Sequence, residues 1–324
     1  MNVAILGAGA IARTMADTLT RLQHPEIKLA AIGSRSLEKA EAFAREYGLS
    51  KAYGSYAALA ADPEIDLVYI ASPHSEHAAH ARLCLESGKH LLVEKAFTKN
   101  AAEALEILAL AKEKDLLVTE AIWTRYMPSR RIIDEVIESG AIGEVHSVQA
   151  NLGYPITHKE RIMRPELAGG ALLDLTVYPI NFALMAIHSG VKDLTGTCVK
   201  ADTGVDLLDN VAITFENGAL ASMHATAYSP TDRMGYIYGT KGYLAVTNIN
   251  NPEKVELFDK EHRLVQRFPL PQQVTGYEYQ VIECLETLKA GRRECPSMPH
   301  AETVHVMELM DRLRKLWEIK FPGE

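Results

Sequence analysis

The feature that most constrains this chain is an alternation running through residues 2–120, in which short apolar runs each give way to a helical stretch. "NVAILG" reads as a strand and "IARTMADTLTRL" as an amphipathic helix; "IKLAAIGS" is a second strand and "SLEKAEAFAREYG" a second helix, with Gly48 near its end. "IDLVYIAS" (65–72), "KHLLVEK" and "LLVTEAI" are three further strands, separated by the helices "SEHAAHARLCLESG" and "NAAEALEILALAKEKD". Strands apolar throughout need cover on both faces, and a helix after each strand supplies it. The pattern predicts a parallel sheet with helices on both sides.

After Trp123 the pattern changes. "PSRRIIDEVIESGAIG" is helical, but hairpin signals follow at Asn217-Gly218 and from Gly239 to Gly242, and "KVELFDKEHRLVQRF" continues a meander. Helices near 276–290 and 301–318 close the chain. At 324 residues the protein is about twice a usual single domain. The expected organisation is a doubly wound, Rossmann-type α/β domain over 1–121, then an α+β domain over 122–324 with a largely antiparallel, open-faced sheet.

Composition excludes several classes. A net charge of −8 argues against a nucleic-acid surface and against an anionic membrane surface. Cys84, Cys198, Cys284 and Cys295 contain no Cys-x-x-Cys pair and read as reduced core residues of a cytoplasmic protein. No basic region precedes "MNVAILGAGAIA", and no uninterrupted apolar run reaches membrane-spanning length, so neither signal peptide nor transmembrane helix is expected.

Gly7-Ala8-Gly9-Ala10-Ile11-Ala12 fits G-x-G-x-x-G/A between the first strand and first helix. Gly7 permits the tight turn, Gly9 lets the backbone approach a pyrophosphate, and Ala12 keeps the helix close to the strand. The N–H groups of the helix start, Ala10 and Ile11 included, then face the phosphates. The end of strand two selects between cofactors. An NAD site usually has a carboxylate there; here Gly33-Ser34-Arg35-Ser36 has none before Glu38. A guanidinium with neighbouring hydroxyls suits a 2′-phosphate, so NADP is favoured, with NAD also accepted if Arg35 is merely solvated.

His74, His77 and His80 recur every three residues, yet Ser72-Pro73 places His74 in a loop and no cysteine or carboxylate cluster completes a metal site. No metal is expected. Ser72, Pro73, His74 and His77 are expected along the dinucleotide, and His80 on the helix surface.

Glu94-Lys95 stands at the C-terminal end of a parallel strand, where open α/β sheets bind ligands. A lysine there could exchange a proton with a substrate oxygen, or lower the pKa of a neighbouring phenol by its charge. In "LAGGALLDLTVYPINFALMAIHSG" (167–190), Asp174 and Tyr178 are four apart and share a face if helical, which Pro179 allows only if the helix starts near Thr176. The pattern fits a polar patch aimed at a cleft, and equally a buried tyrosine whose hydroxyl is simply satisfied.

Taken in order, the glycine turn, Ser72-Pro73-His74-Ser75-Glu76-His77, Glu94-Lys95-Ala96 with Asn100, and Gly169 to Tyr178 resemble the glucose-fructose oxidoreductase/inositol dehydrogenase (Gfo/Idh/MocA) family over nearly the whole chain. "EAIWTRYMP" (120–128), and a tyrosine where most relatives carry histidine, are most similar to the dimeric dihydrodiol dehydrogenase/NADP-dependent D-xylose dehydrogenase branch. The resemblance implies that Tyr178 is the acid/base, Lys95 its assistant and Asp174 the family's acid. It also implies that Arg35 favours NADP, that Trp123 and Arg125 line the cofactor and substrate cleft with Glu94 nearby, and that the chain is a homodimer through its second-domain sheet. Ala96, Ala168 and Thr176 depart from the family's Pro, Gly and Gly.

The expected function is an NADP(H)-dependent oxidoreductase acting on a CH–OH/C=O group of a cyclic sugar, polyol or dihydrodiol. A non-catalytic nucleotide sensor and a bound-cofactor transhydrogenase are the rival readings.

Overall fold

The apolar runs of the first 121 residues become the strands of one parallel sheet. In the computed structural model, which describes all of Met1–Glu324, they are β1 (Asn2–Leu6), β2 (Lys28–Gly33), β3 (Lys51–Tyr53), β4 (Leu67–Ile70), β5 (His90–Glu94) and β6 (Val118–Ala121). Their order is β3-β2-β1-β4-β5-β6, every pairing parallel. The connecting helices are α1 (Ala10–Leu22), α2 (Leu37–Tyr47), α3 (Tyr56–Ala60), α4 (His77–Glu86) and α5 (Ala101–Glu113). Val3–Leu6, Leu67–Ile70 and Leu91–Val93 are at most 1% exposed, as strands covered on both faces must be. Because the chain winds outward in both directions from β1 and β4, their C-terminal ends form the crevice where such sheets take ligands.

Local signals set the helix limits. The Ser36 hydroxyl accepts from the Lys39 N–H, the Asn100 side chain accepts from the Glu103 N–H, and Gly48 closes α2 at φ 67°. The sequence pattern does not display β3 and α3. Three half-buried residues at a sheet edge are too short to show a period, and only Ser55, accepting from Ala58 N–H, marks the helix start.

The second sheet follows α6 (Pro128–Glu138) and comprises β7 (Val145–Gly153), β8 (Val191–Lys200), β9 (Asp206–Phe215), β10 (Leu220–Thr226), β11 (Gly235–Gly239), β12 (Gly242–Thr247), β13 (Lys254–Asp259) and β14 (Leu264–Phe268). The order is β14-β13-β12-β11-β7-β10-β9-β8, antiparallel except for β7 beside β10. Both expected hairpins form, between β9 and β10 and between β11 and β12. Short α7 (Glu160–Met163), a π-type turn at Leu172–Thr176 and α8 (Val177–Ala186) lead from β7 to β8. α8 packs on β7, β10 and β11 and has nine of its ten residues buried. The stretch Pro165–Ala186 has the length and mean hydropathy of a membrane span, but Glu166 and Asp174 interrupt it and 94% of its apolar window is buried inside the protein.

The chain ends in α9 (Glu278–Lys289) and α10 (His300–Leu316). The two compact units are Met1–Tyr126 with Gln273–Met307, and Met127–Gln272 with Glu308–Glu324. The sequence pattern assigns all of 122–324 to the second domain. The structure instead returns Gln273–Met307 to the first unit, where Thr275 Oγ1 meets Thr18 Oγ1 at 2.7 Å, Arg293 Nη2 meets Asp115 at 3.0 Å, and His300 Nε2 meets the Val118 carbonyl at 2.9 Å. Amphipathic periodicity says that a helix has a face to bury, not which unit will bury it.

Candidate active site

In the first unit the glycine turn has the form its residues dictate. Gly7 sits at φ 108°, and a Cβ there would lie 2.8 Å from the Ala71 carbonyl oxygen, so only glycine lets the β1 and β4 loops approach this closely. A Cβ at Gly9 would meet nothing within 4 Å, and no side chain caps α1. The first-turn N–H groups of Ala10, Ile11 and Ala12 therefore face space that a phosphate can fill, while the Ala12 side chain is fully buried. A dinucleotide pyrophosphate fits this turn.

At the end of β2, the Ser34 hydroxyl accepts from Ser36 N–H at 3.3 Å and Ser36 caps α2, which leaves the exposed Arg35 side chain to project. Its charge reaches Tyr56 and His80. Burial raises the Tyr56 pKa and Arg35 opposes that rise; burial lowers the His80 pKa and Arg35 adds to the fall. His80, expected on the helix surface, is instead largely covered. Its Nδ1 lies 2.9 Å from Ser72 Oγ, and its ring meets Tyr56 edge-on at 4.6 Å. The β4 loop, Ser72 and Pro73, is thereby tied to the Arg35 end of the crevice.

His77 needs correction. Its sequence position suggests a place along the dinucleotide, but it is 0% exposed, and both ring nitrogens face backbone carbonyls: Nδ1 those of Ala96 (2.9 Å) and Phe97 (3.2 Å), Nε2 that of Ser72 (2.9 Å). It ties the β4 loop to the β5 loop. Burial holds its pKa below the ordinary value, against the pull of those carbonyls. His74 lies in a short 3-10 turn, with Nε2 3.1 Å from the Lys95 carbonyl oxygen.

Lys95 follows β5 and is half-buried; the Lys95–Ala96 peptide bond is cis. Its N–H donates to Glu94 Oε2 at 3.2 Å, and Glu94 Oε1 accepts from the hydroxyl of fully buried Tyr69. On β6, Glu120 is 1% exposed and accepts from Phe97 N–H at 3.1 Å. Burial pushes its carboxyl up to about 7, against the Arg125 charge, the Phe97 N–H and the Thr303 hydroxyl. Sequence reasoning missed Glu120; a carboxylate inside an apolar strand was the signal. Trp123 and Arg125, both at most 7% exposed, follow β6; Trp123 stacks on Tyr277 at 4.0 Å, and Arg125 pairs with Glu302 at 2.8 Å.

The second unit holds Asp174 and Tyr178. Asp174 lies within the Leu172–Thr176 turn, is 5% exposed and takes an ion pair from Arg161 Nη1 at 2.6 Å. Tyr178 is the second residue of α8 and 8% exposed. Pro179 is the third residue of α8, but the backbone before it is helical too: Thr176 lies in the αR region and Val177 N–H donates to the Leu172 carbonyl, so the winding changes from π to α at Val177 instead of starting near Thr176 as the proline alone suggests. One turn later, Asn181 Nδ2 donates to the Val177 carbonyl at 2.8 Å.

Comparison with known proteins identifies this arrangement. Residues 1–122 match the sequence model of an oxidoreductase family with an NAD-binding Rossmann fold, and residues 131–245 match the GFO/IDH/MocA C-terminal domain. The chain is 32% identical to trans-1,2-dihydrobenzene-1,2-diol dehydrogenase of Mus musculus, covering 99% of this chain and 98% of that one. Against the Homo sapiens protein of that name the identity is 30%, with the same coverage. Among solved structures, the 3-ketoreductase of Actinomadura kijaniata, in complex with NADP and TDP-benzene, is 25% identical with a TM-score of 0.85, each chain covered to 97%. The aldose-aldose oxidoreductase of Caulobacter crescentus, complexed with glycerol, shares the fold at a TM-score of 0.87 and 19% identity, covering 98% of this chain and 97% of that one. With both sequence models matched in order and relatives aligned almost end to end, the chain belongs to the Gfo/Idh/MocA family of oxidoreductases.

Proposed function

We propose that this oxidoreductase uses NADP(H) and acts on a CH–OH/C=O carbon of a cyclic sugar, polyol or dihydrodiol, with Tyr178 as acid/base, Lys95 assisting it by its charge and Asp174 orienting substrate or lysine. The nicotinamide, when bound, supplies the hydride exchange. Tyr178 would take the hydroxyl proton in oxidation and return it in reduction; a nearby ammonium favours the phenolate that does so.

The observation that carries the reading is the treatment of Lys95. It leaves β5 at the ligand edge of a parallel sheet with its N–H held by Glu94 and its carbonyl by His74. Exposed Arg35, with no carboxylate at the end of β2, supports NADP. The relatives' activity on a benzene dihydrodiol and the NADP of the solved ketoreductase support the same substrate and cofactor classes. Tyr178→Phe and Lys95→Met are each expected to lower turnover by about 10²–10⁴-fold, with NADPH affinity nearly unchanged. Following NADPH absorbance across a panel of sugars and diols checks this, and full turnover in both variants would refute it.

The open sheet face of the second unit supports a homodimer. Tyr236, Tyr238, Tyr243 and Phe258 alternate with buried residues on their strands and form one half-exposed aromatic cluster. Light scattering after size exclusion at micromolar concentration should find two chains; a monomer there would remove this part of the proposal.

A further inference from the structure

Strand β9 carries two carboxyls with no part in the chemistry above, Asp206 at 1% and Asp209 at 0% exposure. Asp206 Oδ2 accepts from Leu172 N–H at 2.5 Å, and the Ala171 N–H and its own N–H also bond its carboxyl. Gly170, at φ 111°, makes that approach feasible, since a Cβ there would sit 2.4 Å from Asp206 Oδ1. Asp209 Oδ2 accepts the Thr176 hydroxyl at 2.6 Å. Asp209 Oδ1 is buried and meets no N–H or hydroxyl, and the neighbouring Asp206 carboxyl, three residues before it on β9, acts on it.

Ionised carboxylates only accept, so a hydrogen bond between two of them requires a proton. The backbone donors on Asp206 favour its charged form, whereas Asp209 has one hydroxyl donor and a carboxylate beside it. We propose that Asp206 and Asp209 share one proton, resident on Asp209, and that this pair is a positioning clamp for the Leu172–Thr176 turn that carries Asp174 and leads into Tyr178.

The clamp grips the turn at both ends, by the Leu172 N–H and by the Thr176 hydroxyl. The turn is π-type, a wider winding than an α-helix maintains by itself and one that recurs at functional sites. Burial and the Asp206 charge hold the Asp209 carboxyl well above the usual range, and burial also raises Asp206. On the adjacent strand β8, Cys198 stands opposite Asp209 and Lys200 opposite Asp206. Burial above all pushes the Cys198 thiol up to about 11, so no thiolate competes for the proton. Thr176 stands where the family pattern has glycine, so its hydroxyl is a donor that the pattern itself does not supply.

The proton's location makes the two aspartates unequal. Asp209→Asn presents an N–H to Asp206 and an oxygen to Thr176, as the protonated acid does, and turnover stays within about threefold of the parent. Asp206→Asn sets an amide against backbone donors and lowers turnover about 10²-fold. Thr176→Val lowers it about tenfold and Thr176→Ser restores it, while NADPH affinity, which belongs to the first unit, holds throughout. Infrared spectra at pH 8.5 show a protonated-carboxyl stretch in the parent that Asp209→Asn lacks.

Absence of that difference band overturns the shared proton. Equal effects of the two aspartate variants, in protein with parental melting behaviour, overturn its placement. Parental turnover in Thr176→Val overturns the clamp. Should Asp206→Asn fail to fold, the threonine pair and the infrared band still decide. The turnover arm rests on Tyr178 as acid/base. If Tyr178→Phe retains activity, that reading falls alone, and the infrared band still tests the shared proton.

Discussion

Glu120 gives the sharpest quantitative test of the first unit. Its carboxyl, buried in β6, faces the Phe97 N–H, the Arg125 guanidinium, the Thr303 hydroxyl and the Glu94 carboxyl, and burial raises it from the ordinary 4.5 to about 7. The protonated form is therefore the one the fold prefers. Its contribution is fully present below pH 4.5, declines as pH rises, and is lost above about 7, because only the unfolded chain ionises without a desolvation cost. A displacement of this size corresponds to about 3 kcal/mol.

Glu120→Gln keeps the shape and an acceptor for Phe97 N–H but cannot ionise. At pH 8.5 the variant should be more stable than the parent by about 3 kcal/mol; at pH 4.5 the two should agree to within about 1 kcal/mol. The assay is urea unfolding at a series of pH values, followed by Trp123 fluorescence in a Trp317→Phe background, since these are the chain's two tryptophans and only Trp123 lies in the first unit. A parent and variant with parallel pH dependence would refute the reasoning. So would a variant less stable than the parent at pH 8.5, which would mean that the Arg125 charge outweighs desolvation.

Two further predictions concern the cofactor. Gly9→Val places its side chain where the protein has no atoms within 4 Å, so melting temperature should hold while NADPH affinity falls on the order of 10²-fold, as blocked first-turn N–H groups require; undiminished binding by fluorescence titration would argue against a phosphate at this turn. Arg35→Asp should weaken NADPH by about 10–100-fold, the worth of one charge-assisted pair, and weaken NADH little or not at all. Equal losses for both cofactors would remove Arg35 from the 2′-phosphate.

Much of the first unit is legible in the sequence because its signals are local. A strand buried on both faces shows as an uninterrupted apolar run, and the tight turn after β1 demands glycine where a Cβ would strike the Ala71 carbonyl. What escapes reading depends on partners distant in sequence. The return of Gln273–Met307 to the first unit rests on contacts such as Thr275 with Thr18, 257 residues apart. Thr176 reads as a departure from a family motif until Asp209 supplies the reason for its hydroxyl.

The polar residues after β4, β5 and β6 separate by a rule the sequence does not display. Lys95-Ala96-Phe97 is an irregular segment, with Ala96 and Phe97 at most 1% exposed, so buried backbone groups there need partners that no strand ladder supplies. Side chains do so instead: Glu94 takes the Lys95 N–H and Glu120 the Phe97 N–H, while His74 serves the Lys95 carbonyl and His77 those of Ala96 and Phe97. Titratable residues clustered at a ligand edge all look like ligand contacts in a sequence, because both roles call for the same residue types. Burial tells them apart. Glu94, Glu120 and His77 are committed to holding the loop, and leaving any of their backbone partners unmet would cost about 1–3 kcal/mol. Arg35 is exposed and Lys95 half-buried with its backbone held by Glu94 and His74, and these are the two that the proposed reaction and cofactor call on.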